Sequence, residues 1–249
     1  MANPMQQFEI KPLVPFEFAG FDLAFTNSSL WMLIALVSTS LFFAFATSSS
    51  QKLIPSRLQL IAEGAYNFIA SMISDNLGAK GKEYFPLIFA LFFFVLMCNM
   101  LGMIPYSFTV TSHLAVTAAL ALLVFLIVLV MGFVKHGLHF LHLFVPSGVP
   151  GALMPMVILI ELISFLSRPI TLSVRLFANM VAGHVMLKVI AGFAVMFATV
   201  GGAAWIGTIF PVILNILMIG FEFFIAFIQA YVFAVLTCIY LKDTLEIEH

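Results

Sequence analysis

The sequence predicts an all-α membrane protein with five transmembrane crossings and one in-plane amphipathic helix, the last two crossings long, strongly tilted and paired as an antiparallel hairpin. Three observations predict it. Hydrophobic residues make up 63% of the 249 and charged residues 8%, with 29 phenylalanines, far outside the range of a soluble domain. The apolar residues gather into runs long enough to cross a bilayer at ~20 residues per span. The final two runs are much longer than one crossing requires. The same numbers exclude other classes: a net charge of −1 leaves no basic face for nucleic acid. Cys98 and Cys238 lie far apart in apolar runs, so neither a disulfide framework nor a metal motif is indicated.

Residues 1–28 carry Pro4, Pro12 and Pro15 and read as an irregular polar segment on the outer membrane face. With one lysine, three acids and no long apolar run, this segment does not have the form of a signal peptide. The first span covers 29–47, with Trp31 as an interfacial anchor. Over 55–78 the pattern changes to an apolar face of Leu58, Ile61, Ala62, Ala65, Ile69, Met72 and Ile73 opposite Gln59, Glu63, Asn67, Ser71 and Ser74. Such a helix is too polar to span and is expected to lie in the interface, or against a partner outside the membrane. Ser56 and Gln59 have the spacing of a capping box.

A hairpin of two spans follows, 84–105 and 111–134, joined by the uncharged connector holding Pro105 and Tyr106. His136, His139 and His142 then recur every third residue. No carboxylate or cysteine accompanies them, and they read as histidines at the membrane edge rather than metal ligands. The long helices cover 152–198 and 205–241, separated at Gly201 and Gly202. From Glu161 to Ala198 alone a helix extends ~56 Å, nearly twice the ~30 Å hydrocarbon core, so it must tilt or bend. Pro169 and Pro211 permit bends, but tilt accounts for both neighbours at once.

Five crossings place Lys52, Arg57, Lys80, Lys82, Lys135 and Lys242 on one side and leave Lys11 opposite. The positive-inside rule then puts the N-terminus outside and the C-terminus in the cytoplasm. Within the long helices lies the chemistry. Glu161, Arg168 and Arg175 recur every seven residues and Asn179 follows four later, a narrow stripe on one helix, with His184 on the opposite side. Asn215, Glu222 and Gln229 make a second stripe at the same spacing. In an antiparallel hairpin turning at the double glycine, His184 faces Glu222 and Arg175 faces Gln229. An intramembrane arginine costs from ~3 to more than ~10 kcal/mol, so each such residue is a functional candidate.

Glu222 with His184 forms a couple able to exchange a proton, whereas Asn179 and Asn215 read equally well as hydrogen-bonding links between helices. Arg175 has no suitably placed acid in its own chain; a carboxylate from another chain would meet it, kept deprotonated by a cation that cannot itself relay a proton. Arg168, beside Pro169 and nearer the inner interface, is expected to snorkel. Lys188 shares the face of His184 without an evident role.

Three runs carry a family resemblance: RLFANMVAGH from Arg175 to His184, NMLGMIP from Asn99 to Pro105, and QFEIKPL from Gln7 to Leu13. Together they resemble subunit a of the F-type ATP synthase, over essentially the whole chain. The resemblance implies a stator subunit whose last two helices lie tilted against a rotating ring of c subunits, with two offset proton half-channels reaching a carboxylate on each ring member. It implies that Arg175 is the essential arginine separating those half-channels. Asn179, His184, Glu222 and Gln229 are implied to line the outer route or the ring contact and Glu161 the inner one; Asn215 joins the pathway set through its stripe. Peripheral stalk subunits of the b type, protons and lipid are the remaining implied partners, with no cofactor and no metal. The histidine lies on the earlier helix and the acid on the later one, as in mitochondrial members, so a bacterial inner membrane and a mitochondrial inner membrane both fit. The competing class is a self-contained proton-coupled secondary transporter, but its usual internal repeats are missing from this sequence. With no Walker-type loop, His-Glu-x-x-His run or nucleophile elbow, the chain is not expected to be an enzyme.

Overall fold

The computed structural model describes residues 8–15, 17–18, 21–22, 24–48, 55–104, 107–145, 153–200 and 202–245. Pro4, Lys52, Pro105, Tyr106 and Gly201, used in the sequence reading, lie outside them. Six α-helices dominate the described residues: α1 (Asn27–Ser48), α2 (Arg57–Leu77), α3 (Phe85–Gly102), α4 (Leu114–His136), α5 (Met154–Val200) and α6 (Ile209–Leu245). All but α2 are long and apolar enough to cross a membrane, α3 counting from the preceding turn at Lys80. They are apolar over most of their surface, and the polar stripes of α5 and α6 are the exception. Many of their hydroxyls are quenched locally: Thr39 donates to Ala35 O at 2.8 Å, Ser40 to Leu36 O at 2.9 Å and Thr237 to Phe233 O at 2.8 Å. A hydroxyl bonded one turn back leaves no unsatisfied donor in hydrocarbon.

Contacts within the chain group into two compact units. The first holds the described parts of Met1–Ala44, Phe93–His113 and Leu176–Ala230. Its N-terminal segment departs from the irregular one expected. Strands β1 (Pro12–Val14) and β4 (Phe25–Thr26) pair antiparallel, as do β2 (Glu17–Phe18) and β3 (Phe21–Asp22). Ladders of two or three residues carry too little alternation to be read from sequence. Asn27 ties this segment to α1, its side chain accepting from the Lys11 N–H at 3.1 Å and donating to Glu9 O at 3.0 Å. In the same unit the later part of α5 and the earlier part of α6, joined by a 3-10 turn over Gly202–Thr208, form an antiparallel hairpin. Pro211 falls in the first turn of α6, where its missing N–H needs no helical partner.

The second unit holds the described parts of Phe45–Phe92, Leu114–Arg175 and Tyr231–His249. Here α2 starts on Ser56, whose side chain accepts the Gln59 N–H at 3.2 Å. Only half of the capping box forms: the Gln59 side chain donates forward to Glu63 at 2.8 Å, and its Oε1 does not accept from the Ser56 N–H. The apolar face of α2 also divides. Ala62, Ile69, Met72, Ile73 and Leu77 are buried, while Leu58 and Ile61 are exposed. Gly78 closes the helix at φ +60°, a conformation that disfavours any side chain, and its N–H bonds Ser74 O.

Lys135 at the end of α4 reaches Glu83 at 3.7 Å and the face of Tyr84 at 5.4 Å, clasping the α3–α4 hairpin at one end. The histidine-bearing run forms a 3-10 helix over Gly137–Phe144 that buries Phe140 between Phe133 and Phe165. Both long helices are continuous, 47 residues for α5 and 37 for α6. Pro169 lies inside α5, where it withdraws the donor that Phe165 O would otherwise receive.

Candidate functional site

In the first unit, α5 and α6 are brought together at Gly183. A Cβ built there would stand 2.5 Å from Glu222 Oε1 and 2.9 Å from its Cδ, so only glycine leaves room for this carboxylate against α5. One residue on, His184 points its Nδ1 at Glu222 Oε1, 3.8 Å away. That is within ion-pair reach yet longer than a hydrogen bond. Glu222 is 3% exposed, and neither of its oxygens has a hydrogen-bond partner among the described residues. A buried carboxylate so poorly matched is costly for stability and free to trade a proton with the imidazole it faces.

The end of α3 and its connector surround this couple with polar groups. Thr109 Oγ1 lies 3.0 Å from His184 Nε2 and 3.2 Å from Gly102 O, the last carbonyl of α3. Asn99, fully buried, donates to Ala226 O on α6 at 3.2 Å and accepts from Thr111 at 2.8 Å. Thus the connector and α3 hold α6 one turn beyond Glu222. From the N-terminal segment, Phe8 sets its ring edge-on to His184 at 6.2 Å. Gln229 is buried, Asn179 half-buried, and Asn215 carries a buried Oδ1 without a partner among the described residues.

In the second unit Glu161 is half-buried and Arg175 is exposed, with no carboxylate within 4.0 Å of Arg175 among the described residues. Arg168 departs from the expected snorkelling. It donates to Asp243 Oδ2 at 2.7 Å and lies over the rings of Tyr240 and Phe165 at 5.0 and 5.5 Å. The sequence reading missed Asp243 because the acid sits just past the apolar run; α6 continues through it to Leu245. Thr109 and Gly183 were missed for a different reason: small residues in apolar runs are usually packing, and their part here depends on contacts with distant positions.

A buried imidazole–carboxylate couple on helices long and apolar enough to cross a membrane, with an arginine earlier on α5 that has no acid in ion-pair reach among the described residues, defines the class: an integral membrane protein that handles protons. The comparisons with known proteins narrow this. Residues 29–242 match the family model described as ATP synthase A chain. The chain is 55% identical over 247 residues to ATP synthase subunit a of Chelativorans sp. (strain BNC1), covering 99% of both chains. It is 56% identical over 247 residues to that of Rhizobium rhizogenes, covering 99% of this chain and 98% of the relative. With that of Agrobacterium fabrum the identity is 54% over 250 residues and the whole of both chains. The chain belongs to the ATP synthase A chain family. It is therefore a non-catalytic stator subunit that supplies the proton half-channels of the membrane sector, nucleotide chemistry residing on other subunits. A self-contained transporter finds no support. The relatives are bacterial, which sets the chain in a bacterial inner membrane.

Proposed function

We propose that Arg175 is the fixed cation that each carboxylate of a rotating c-ring meets in turn, and that His184 with Glu222 hands protons to and from that ring on the outer side. The observation that carries this is the contrast along α5: Arg168 is matched by Asp243 at 2.7 Å, while Arg175 is exposed with no acid in ion-pair reach among the described residues. A guanidinium remains charged and cannot relay a proton, so it favours the deprotonated state of a visiting carboxylate and blocks direct passage between the two access routes. Asn179, Gln229 and Asn215 supply hydrogen-bonding groups along the outer route or at the ring face, and Glu161 serves the inner route. The N-terminus lies outside, the C-terminus in the cytoplasm, and peripheral stalk subunits of the b type hold the chain against the ring. Each proton descending 100 mV yields about 2.3 kcal/mol, so rotation must collect several per ATP.

The test is ATP-driven proton pumping in inverted membrane vesicles carrying Arg175→Ala, beside passive proton leak through the same membranes. Loss of pumping with the complex assembled is expected. Normal pumping would sink the reading and return the arginine to a structural part.

A further inference from the structure

Hydroxyls in these helices mostly bond back to their own turn, but Thr109 does not. It sits 3% exposed in the connector after α3, with Gly102 O at 3.2 Å and His184 Nε2 at 3.0 Å. A hydroxyl has one proton to give. Gly102 O is a terminal helix carbonyl, and among the described residues the turn that follows satisfies its neighbours and not it: Met103 N–H bonds Met100 O and Ile104 N–H bonds Leu101 O. Among the described residues, Thr109 is the donor that Gly102 O has. With its proton committed there, Thr109 Oγ1 can only accept from His184, which fixes the imidazole proton on Nε2 and leaves the Nδ1 lone pair facing Glu222.

We infer that Thr109 is a positioning residue for proton transfer, holding His184 in the Nε2–H tautomer so that its basic nitrogen is presented to the Glu222 carboxyl. This rests on the reading of His184 and Glu222 as the proton-exchanging couple. The groups around the imidazole are consistent with it. Glu222 from α6 faces Nδ1, Phe8 presents only a ring, and Lys188, one turn along α5, is a cation that offers no acceptor. The step balances simply: Glu222 Oε–H gives its proton to Nδ1, forming an imidazolium and a carboxylate, and the imidazolium releases the same Nδ1 proton in return. Nε2–H stays bonded to Thr109 throughout. The opposite tautomer would set an N–H against the carboxyl and could not receive a proton from it. Gly102 is part of the same device, since a Cβ there would stand 2.8 Å from Thr109 Cγ2 and push the hydroxyl away.

The experiment uses the whole complex in inverted vesicles with Thr109→Val, which keeps shape and loses the hydroxyl, and Thr109→Ser, which keeps the hydroxyl. Valine is expected to slow pumping roughly tenfold, the lower range of what a misplaced acid–base group costs, and serine to restore most of it. In complex labelled with nitrogen-15 at histidine, the imidazole signals lost in His184→Gln are expected to report Nε2–H in the native protein and a mixed tautomer in Thr109→Val. Native pumping in Thr109→Val, or an Nδ1–H signal for native His184, overturns the inference. The native tautomer decides the matter even if the valine variant fails to assemble. His184→Ala separates the two levels: full pumping there removes the His184–Glu222 reading and this inference with it, whereas loss there beside native pumping in Thr109→Val removes this inference alone.

Discussion

Arg168 and Glu222 are both ionisable side chains on helices apolar enough to lie in lipid, and their surroundings treat them oppositely. Arg168 has a carboxylate at 2.7 Å and aromatic faces at 5.0 and 5.5 Å, at a place where it and Asp243 keep 21% and 35% of their side-chain surface. Glu222 is almost fully enclosed and, among the described residues, is faced by only an imidazole at 3.8 Å. The first arrangement neutralises a charge and holds helix to helix; the second leaves a charge unresolved. A matched ion pair needs nothing further, whereas an unmatched acid at depth is costly and for that reason a functional-site candidate.

The comparison breaks most sharply at Glu222. Glu222→Gln keeps the shape and removes the titrating proton, so pumping in inverted vesicles should fall by roughly a hundredfold with the complex still assembled. Near-native pumping would make Glu222 a structural polar group after all. Next comes Gly183→Ala. Alanine in a helix interior ordinarily stabilises by about 1 kcal/mol over glycine, but this methyl would collide with the Glu222 carboxyl, so the expectation is the reverse: a net loss of about 1–3 kcal/mol in thermal unfolding and roughly tenfold slower pumping. A more stable, fully active variant would show that α5 and α6 do not approach so closely here. The smallest effect belongs to the satisfied pair. Asp243→Asn should lower stability by about 1 kcal/mol, discounted for its exposure, and change pumping less than twofold. Replacing both partners, Arg168→Met with Asp243→Leu, should recover stability, because removing a whole pair is cheaper than orphaning one member. Collapse of pumping in Asp243→Asn would move this pair into the proton route.

Much of this was legible in the sequence because hydrocarbon imposes a simple rule. A run of apolar residues the length of a bilayer must be a helix, so α1, α3 and α4 announce themselves, and the period of Ile69, Met72 and Ile73 marks α2 as different in kind. The facing of His184 and Glu222 was also readable, since two helices joined by a short turn leave little choice of register. Other features resisted for physical reasons. The β ladders of the N-terminal segment rest on two or three residues each. Asp243 lies where hydropathy has already fallen, so nothing in its neighbourhood distinguishes a partner for Arg168 from an ordinary solvated acid. Thr109 and Gly183 act through a single close approach to a distant residue, a relation that composition and period do not encode.

Phe8 against His184 has a consequence in time rather than in space. The eighth residue leaves the ribosome long before α5 and α6 exist, and at ~5–20 residues per second roughly 10–35 s separate the two halves of that contact. During that interval the early spans can already insert, since each needs only its own hydrophobicity, but the phenylalanine has nothing to rest on and Asn99 has no Ala226 carbonyl to bond. The insertion machinery can therefore accept this protein piecemeal, while the surroundings of the histidine are completed only once α6 has been made. A nascent chain halted ahead of α6 would pass every test of membrane insertion and still hold His184 without the carboxylate it faces.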